Sequence, residues 1–239
     1  MSRHRIHIYG SRLHLLWTIL FVLLPVVFLI LFSRWTAIQM NILFLDLALS
    51  CWRLLVAYMI AASLGWGFAA LFYKGKRSAI ALPLFDVLQS FPTFALLPLI
   101  VYLWGSTSVT VIFFLVITII WPIFFSVLSS LKLARQDWHE VVTIAGMRGM
   151  TYFRNYLWPV SFPGLITGSI IGLGEGWEAL VATEMIVNVH RGLGPFFVSS
   201  SKSATITALG IFGLLFIIFS LNKVFWIPLL DWSHHTIEE

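Results

Sequence analysis

The chain has a single cysteine, Cys51, which rules out an intramolecular disulfide and a cysteine-built zinc cluster and suits a small buried hydrophobe. Charge is also scarce. Only 10% of residues are Asp, Glu, Lys or Arg, against 59% hydrophobic and a mean hydropathy of +0.94, too few to cover a water-soluble core of this size. There is no Gly-x4-Gly-Lys-Ser/Thr phosphate loop, so nucleotide hydrolysis by that route is absent from the chain. His139-Glu140-Val141-Val142-Thr143 begins like a zinc-protease helix, but Thr143 stands where the second His would have to be. No Ser-His or Cys-His dyad is suggested by spacing, so neither an enzyme nor a metal site is expected. The formal net charge of +5 sits in short clusters beside apolar runs, which fits an anionic lipid surface and not nucleic acid.

What is present is membrane. A helix crossing the hydrocarbon needs ~20 mostly apolar residues, and six segments approach that length, roughly 13–33, 48–73, 80–104, 109–131, 160–187 and 204–230. Arg3, His4, Arg5 and Arg12 precede the first in the manner of a signal peptide. The apolar run from Leu13 to Phe32 is too long for one and lacks a small-residue cleavage site, so it reads as a retained anchor. With the N-terminus inside, ten basic residues fall on the inner side (Arg3, Arg5, Arg12, Lys74, Lys76, Arg77, Lys132, Arg135, Arg148, Arg154) and three on the outer side (Arg34, Arg191, Lys202). Short cytoplasmic loops carry that excess, which makes both termini and the 132–159 stretch cytoplasmic. The expected division is a tail, first span and outer loop over 1–47, a core membrane domain over 48–230, and a cytoplasmic tail over 231–239. His234-His235 in that tail reads as solvated, and His14 as a membrane-interface residue.

Several polar residues interrupt the spans, and polar groups in lipid are costly unless they face a bundle interior or water. Arg53 lies in segment 2, above a small-residue face running from Ala61 to Ala70. Segment 3 carries Pro83, Pro92 and Pro98 with Asp86 and Gln89, which predicts a broken helix and a wall of a pathway. Asp86 there is either a helix-start carboxylate or a gate. Segment 5 has Gly164, Gly168, Gly172 and Gly176 four apart, one face that lets a second helix or a twin subunit come close. It also holds Glu175, Glu178 and Glu184, each a candidate either to pair with Arg53 or to touch a solute. The 188–203 stretch, with Gly192, Gly194 and Pro195, is expected as an outer loop, re-entrant or interfacial.

Residues 132–159 form a polar island between apolar runs. Trp138, Val142 and Ala145, with Val141 beside them, give a short helix one apolar face, and Asp137 and Glu140 lie near its start. Gly146 and Gly149 punctuate it, a second short helix brings Tyr152, Phe153 and Tyr156 together, and Pro159 and Pro163 mark a restart. A helix, a glycine turn and a helix outside the bilayer make a docking knob. Glu140, Gly146 six residues on and Pro159 thirteen beyond resemble the loop of the permease subunits of binding-protein-dependent ABC importers. That loop runs Glu-Ala-Ala, three residues, Gly, nine residues, Ile-x-Leu-Pro. Val141 and Val142 here replace the alanines, and Tyr156 and Trp158 the Ile and Leu, adding bulk. The likeness is to the nitrate, sulfonate, taurine and bicarbonate branch, through Leu88 to Pro98, Trp104-Gly105, Arg53, Trp177, Glu184 and Gly192-Leu193-Gly194.

The resemblance implies an all-α, polytopic transmembrane bundle of about six spans, like a type I importer permease, in a bacterial inner membrane. It implies a coupling role for Glu140, Val141, Val142, Ala145, Gly146, Met147, Arg148, Gly149, Tyr152 and Pro159. Arg53, Asp86, Gln89, Pro92, Trp177, Glu178 and Glu184 become the candidates for the pathway or its gate. The implied partners are two cytoplasmic ABC ATPase subunits, a second permease subunit as a homodimer, an extracytoplasmic substrate-binding protein and membrane lipid. No cofactor is expected in this chain, ATP and Mg being held by the ATPase subunits. The expected cargo is a small anion. Other readings are a stand-alone ion-coupled carrier or channel using the segment 5 carboxylates, and an assembly scaffold.

Overall fold

A computed structural model describes residues 6–36, 38–134, 136–201, 203–230 and 232, with the side chains of residues 6–18, 80, 136, 137, 139 and 140 outside the description. All the regular structure among these residues is helical. In order come α1 (Ile6–Thr36), α2 (Met40–Phe72), α3 (Gly75–Gln89), a 3-10 turn (Thr93–Leu96), α4 (Leu97–Trp104), α5 (Ser108–Leu133), α6 (Gln136–Ile144) and α7 (Gly149–Tyr152). A π turn (Phe153–Leu157) leads into α8 (Trp158–Val187), followed by α9 (Leu193–Ser200), α10 (Ala204–Leu221) and a second π turn (Asn222–Trp226). Among the described residues, five runs are long and apolar enough to cross a bilayer: Ile19–Thr36, Met40–Phe72, Ser108–Leu133, Gly149–Val187 and Ala204–Leu230. The pair Gly75–Gln89 and Thr93–Trp104, bent by 68°, makes a sixth if it is one span.

The sheltered centre is α5. Phe114, Leu115, Ile119, Ile123, Phe124 and Val127 have essentially no exposed surface, because α2 and α8 flank them. The four-residue glycine stripe of α8 lies on α5, within the chain: a Cβ on Gly164 would stand 2.5 Å from the Ser126 carbonyl oxygen, and one on Gly168 2.6 Å from Ile123 Cα. Of the two readings offered by that stripe, the structure takes the neighbouring helix over the twin subunit. Gly65 of α2 touches α5 from the other side, near the Ile120 carbonyl. Trp66 Nε1 donates to Ser161 Oγ at 2.8 Å, and the Tyr58 and Ser169 hydroxyls meet at 2.9 Å, so α2 and α8 are also joined directly. Helices α1 and α10 pack at the edge through Phe21–Phe219 and Phe28–Phe216 edge contacts.

Two boundaries differ from the sequence expectation. Helix α2 begins at Met40, eight residues before the expected start, because Asp46 is accommodated inside the packed bundle. Segment 3 does break, at Ser90–Pro92, where proline disfavours helix in the residue before it. Pro159 and Pro163, in contrast, mark no restart: the helix is continuous from Gly149 to Val187. The π turn immediately before Pro159 re-registers the bonding ladder at the point where proline lacks an N–H.

Candidate functional site

At the end of the bundle opposite α6, a buried cluster draws together four parts of the chain. Glu184 of α8, with no exposed surface, meets Arg53 of α2 through Oε1 and Nη1 at 2.5 Å. Ser50, one turn from Arg53, donates to the same carboxylate at 2.8 and 2.9 Å. Arg53 Nη1 also donates to the Arg191 carbonyl at 2.9 Å, and Nε to Ser108 Oγ at the start of α5 at 3.1 Å. The loop before α9 closes the cluster: the Leu193 N–H donates to Ser50 Oγ at 2.8 Å and the Gly194 N–H to Glu184 Oε2 at 2.9 Å. Asp46, one turn before Ser50 on the same helix face, is buried and keeps Oδ1 without a hydrogen-bond partner.

Glycine is required in that loop by contact. Gly192 has φ +140, and a Cβ there would stand 2.6 Å from Glu184 Oε2 and 2.7 Å from Arg53 Nη1. The arrangement is a clasp: two charges and a serine hydroxyl hold the 191–194 backbone against α2 and α8. Arg53 and Glu184 were pathway candidates by sequence, and the structure pairs them. Ser50, Ser108 and Asp46 were not singled out. The i, i+4, i+7 spacing of Asp46, Ser50 and Arg53 is the signal that would have found Asp46 and Ser50, while Ser108 lies on another helix and has no such signal.

The other pathway candidates lie elsewhere. Trp177, seven residues before Glu184, is buried on the same inner face of α8. Glu175 and Glu178 are exposed on the opposite side, with Gly174, and no ion pair is formed by either among the described residues. Asp86 and Gln89 are exposed on α3 and bond each other, Gln89 Nε2 donating to Asp86 Oδ1 at 2.7 Å. Pro92 is exposed at the bend. The candidates therefore divide into a buried pair with its neighbour Trp177 and an exposed set on α3 and α8.

Helices α6 and α7 form the knob. Gly146 (φ +59) ends α6 in a left-handed cap: the Met147 N–H bonds the Val142 carbonyl and the Gly146 N–H the Thr143 carbonyl, each at 3.2 Å. These bonds satisfy carbonyls a helix end leaves open, and they turn the chain sharply. Trp138 and Val142 pack inward, whereas Val141, Ala145 and Met150 are exposed and Ile144 is 86% exposed. The expected apolar face therefore splits, half gripping the bundle and half turned outward. Arg148 is exposed in an extended conformation, Met147 is half-buried, and Gly149 has φ +57. Glu140 is within α6, its side chain outside the description.

Tyr152 and Tyr156 lie together, ring centres 5.2 Å apart, but Phe153 turns away to Trp66, at 5.6 Å. The Tyr152 and Tyr73 hydroxyls are hydrogen-bonded, and the Lys74 ammonium sits 4.8, 5.6 and 5.8 Å from the ring centres of Tyr73, Tyr152 and Tyr156. Burial, then the Tyr152 hydroxyl, pushes the Tyr73 phenol above its ordinary value, so it stays protonated as a hydroxyl partner. Half-buried Pro159 follows the π turn at the start of α8.

A bundle with its charges clasped at one end, a broken helix at its side and a glycine-capped helical knob at the other end is a multi-pass membrane protein. The chain belongs to the family described as binding-protein-dependent transport system inner membrane component, whose profile matches residues 59–230. It is similar to the nitrate import permease proteins of Synechocystis sp. (32% identical over 171 residues, 68% of this chain and 62% of the relative) and Leptolyngbya laminosa (33% over 182 residues, 72% and 64%). It is also similar to the taurine transport system permease protein of Escherichia coli (32% over 119 residues, 50% and 42%). The chain thus matches less than two thirds of the length of each of these relatives.

Proposed function

We propose that this chain is the membrane-spanning permease subunit of an ATP-driven importer, forming with a second copy the route for a small anion delivered by an extracytoplasmic binding protein. The observation that carries this reading is the knob. Its outward face presents Val141 and Ile144 to solvent beside a glycine cap, and exposed apolar side chains on a helix outside the spans mark a protein contact. The partner is a pair of cytoplasmic ATPase subunits that bind ATP and Mg, leaving this chain without catalytic chemistry. The knob end therefore faces the cytosol, and the clasp end meets the binding protein.

Closure of the ATPase pair draws the two knobs together and switches the cavity between inward and outward openings, which requires the free energies of nucleotide state and cavity state to be coupled. Lys74 and the tyrosines Tyr73, Tyr152 and Tyr156 tie the knob to the end of α2, so movement of α6 and α7 reaches the spans as one body. Glu175, Glu178, Asp86, Gln89 and the Pro92 bend lie on exposed faces at membrane depth; water between two copies of the chain gives these polar groups a solvated place. Nitrate in two of the relatives' names supports a small anion as cargo. The test is purification from native membranes: co-elution of a nucleotide-binding subunit whose ATPase activity rises with a binding protein supports the reading. A chain that purifies alone and carries an ion flux in proteoliposomes without ATP defeats it.

A further inference from the structure

Between the start of α3 and the end of α5, at the knob end of the bundle, lies an open cleft of about 530 Å³ whose lining includes Tyr73, Ser78, Ala79, Leu82, Pro83 and Lys132. That is room for a small anion with several waters, each taking ~30 Å³. The cleft continues into the bundle along one helix face. Ala79, Pro83 and Asp86 follow one another at i, i+4 and i+7, so they form a single stripe of α3, and all three are exposed. Asp86 stands one turn deeper than Pro83, and a carboxylate within a span needs water beside it. The wet face of α3 therefore runs down into the cleft.

The polar groups around the cleft differ in how far they are already committed. The Tyr73 hydroxyl is hydrogen-bonded to Tyr152, and the neighbouring Lys74 ammonium lies over three tyrosine rings. Lys132 is exposed and forms no ion pair among the described residues, and the half-buried Ser78 hydroxyl makes no hydrogen bond there. A cation in the last turn of α5 suits the helix dipole, and that placement leaves its ammonium open to an anion in the cleft. Deeper in, Asp86 carries the opposite sign, its carboxylate accepting from Gln89 Nε2 at 2.7 Å. An anion on the α3 stripe is thus repelled from within the bundle and drawn toward Lys132 at its end.

We propose that the cleft is a small-anion site at the cytosolic mouth of the route, with Lys132 as counter-charge and Ser78 Oγ as hydrogen-bond donor. A lone exposed ammonium holds an anion weakly, which suits a site that must be left as readily as it is reached. The place of the site on an import route rests on the reading of the chain as an importer of small anions, and it names the residues that the cargo meets last.

The test uses chloride and nitrate as probes on the detergent-purified chain. Over the wild type, the chloride magnetic-resonance line is expected to broaden and to narrow again as nitrate displaces the chloride. Lys132→Met is expected to reduce that displaceable broadening at least five-fold and Lys132→Arg to keep it. Lys76→Met, which removes the same charge outside the cleft lining, is expected to match the wild type. Lys132 is exposed, so its variants are expected to unfold thermally with the wild type. No displaceable broadening in the wild type, broadening that survives Lys132→Met, or an equal loss in Lys76→Met overturns the proposal. These readouts need no ATP, so their failure removes the site while co-elution of an ATPase subunit still supports the importer. Lys132-dependent binding in a chain that carries ion flux without ATP defeats the importer reading, and the place of the site on an import route with it.

Discussion

Arg53 and Glu184 stand 131 residues apart in the chain and meet at 2.5 Å with both side chains buried. Neither ion is left to the other alone: Ser50, Ser108, the Arg191 carbonyl and the Gly194 N–H complete their hydrogen bonds. A buried pair of this kind contributes little net stability over apolar replacements, because desolvation offsets the Coulomb attraction, but removing one partner strands the other charge. Its main effect is to fix where the 191–194 backbone lies.

Glu184→Leu and Arg53→Met are each expected to cost about 3–5 kcal/mol, and the double variant Arg53→Met/Glu184→Leu to cost less than the sum of the singles. Denaturant unfolding in detergent, read as a double-mutant cycle, measures the coupling. Additive losses would show that the two side chains act separately. Uptake is expected to fall in the single variants in step with stability, since the pair positions backbone.

Gly168→Ala is expected to destabilise by about 1–3 kcal/mol, the usual cost of overpacking, because its Cβ would stand 2.8 Å from the Pro122 carbonyl oxygen, which cannot move cheaply. Gly174→Ala on the same helix meets nothing within 4 Å and is expected to be neutral or stabilising by up to about 1 kcal/mol. Thermal unfolding of the two proteins side by side is the check. Equal effects would mean that the α5–α8 contact is looser than this geometry.

The periodicity that placed the spans was legible because lipid demands long apolar runs, and Pro92 marked the break in segment 3. The glycine spacing in α8 announced a close approach without saying to what, since a glycine face fits any partner surface. Asp46 went the other way: one carboxylate shifted the apparent start of α2, because hydropathy cannot register that the bundle shelters it. The clasp was half visible. Arg53 and Glu184 stood out by their cost in lipid, while Ser50 and Ser108 look ordinary in a span. Pro159 misled because the π turn at 153–157, which makes its place in a continuous helix, has no distinctive composition.

Glu178→Gln tests the exposed carboxylates. The side chain faces out of the bundle, so stability is expected to change by no more than about 0.5 kcal/mol. Uptake into proteoliposomes with the ATPase and binding protein present is expected to change several-fold, because a charge lining a water-filled route alters the potential felt by an anion. Uptake identical to wild type would take Glu178 off the route.

Gly146 separates folding from coupling. Its φ of +59 lies where β-branched residues are strained, yet a Cβ there meets nothing within 4 Å in this chain. Gly146→Val is therefore expected to cost only about 1–2 kcal/mol, from the left-handed backbone, and to leave the bundle folded. What it distorts is the cap that sets α6 against α7, and with it the outward face of Val141 and Ile144. ATP-driven uptake is expected to drop at least ten-fold, with the ATPase no longer stimulated by binding protein. Gly146→Asn, which tolerates the same backbone, is expected to keep most of both activities. If the valine protein transports as well as the wild type, the knob is not the element through which the ATPase drives this chain. If the asparagine protein fails as badly as the valine one, the requirement is for space at the partner's surface and not for the left-handed turn.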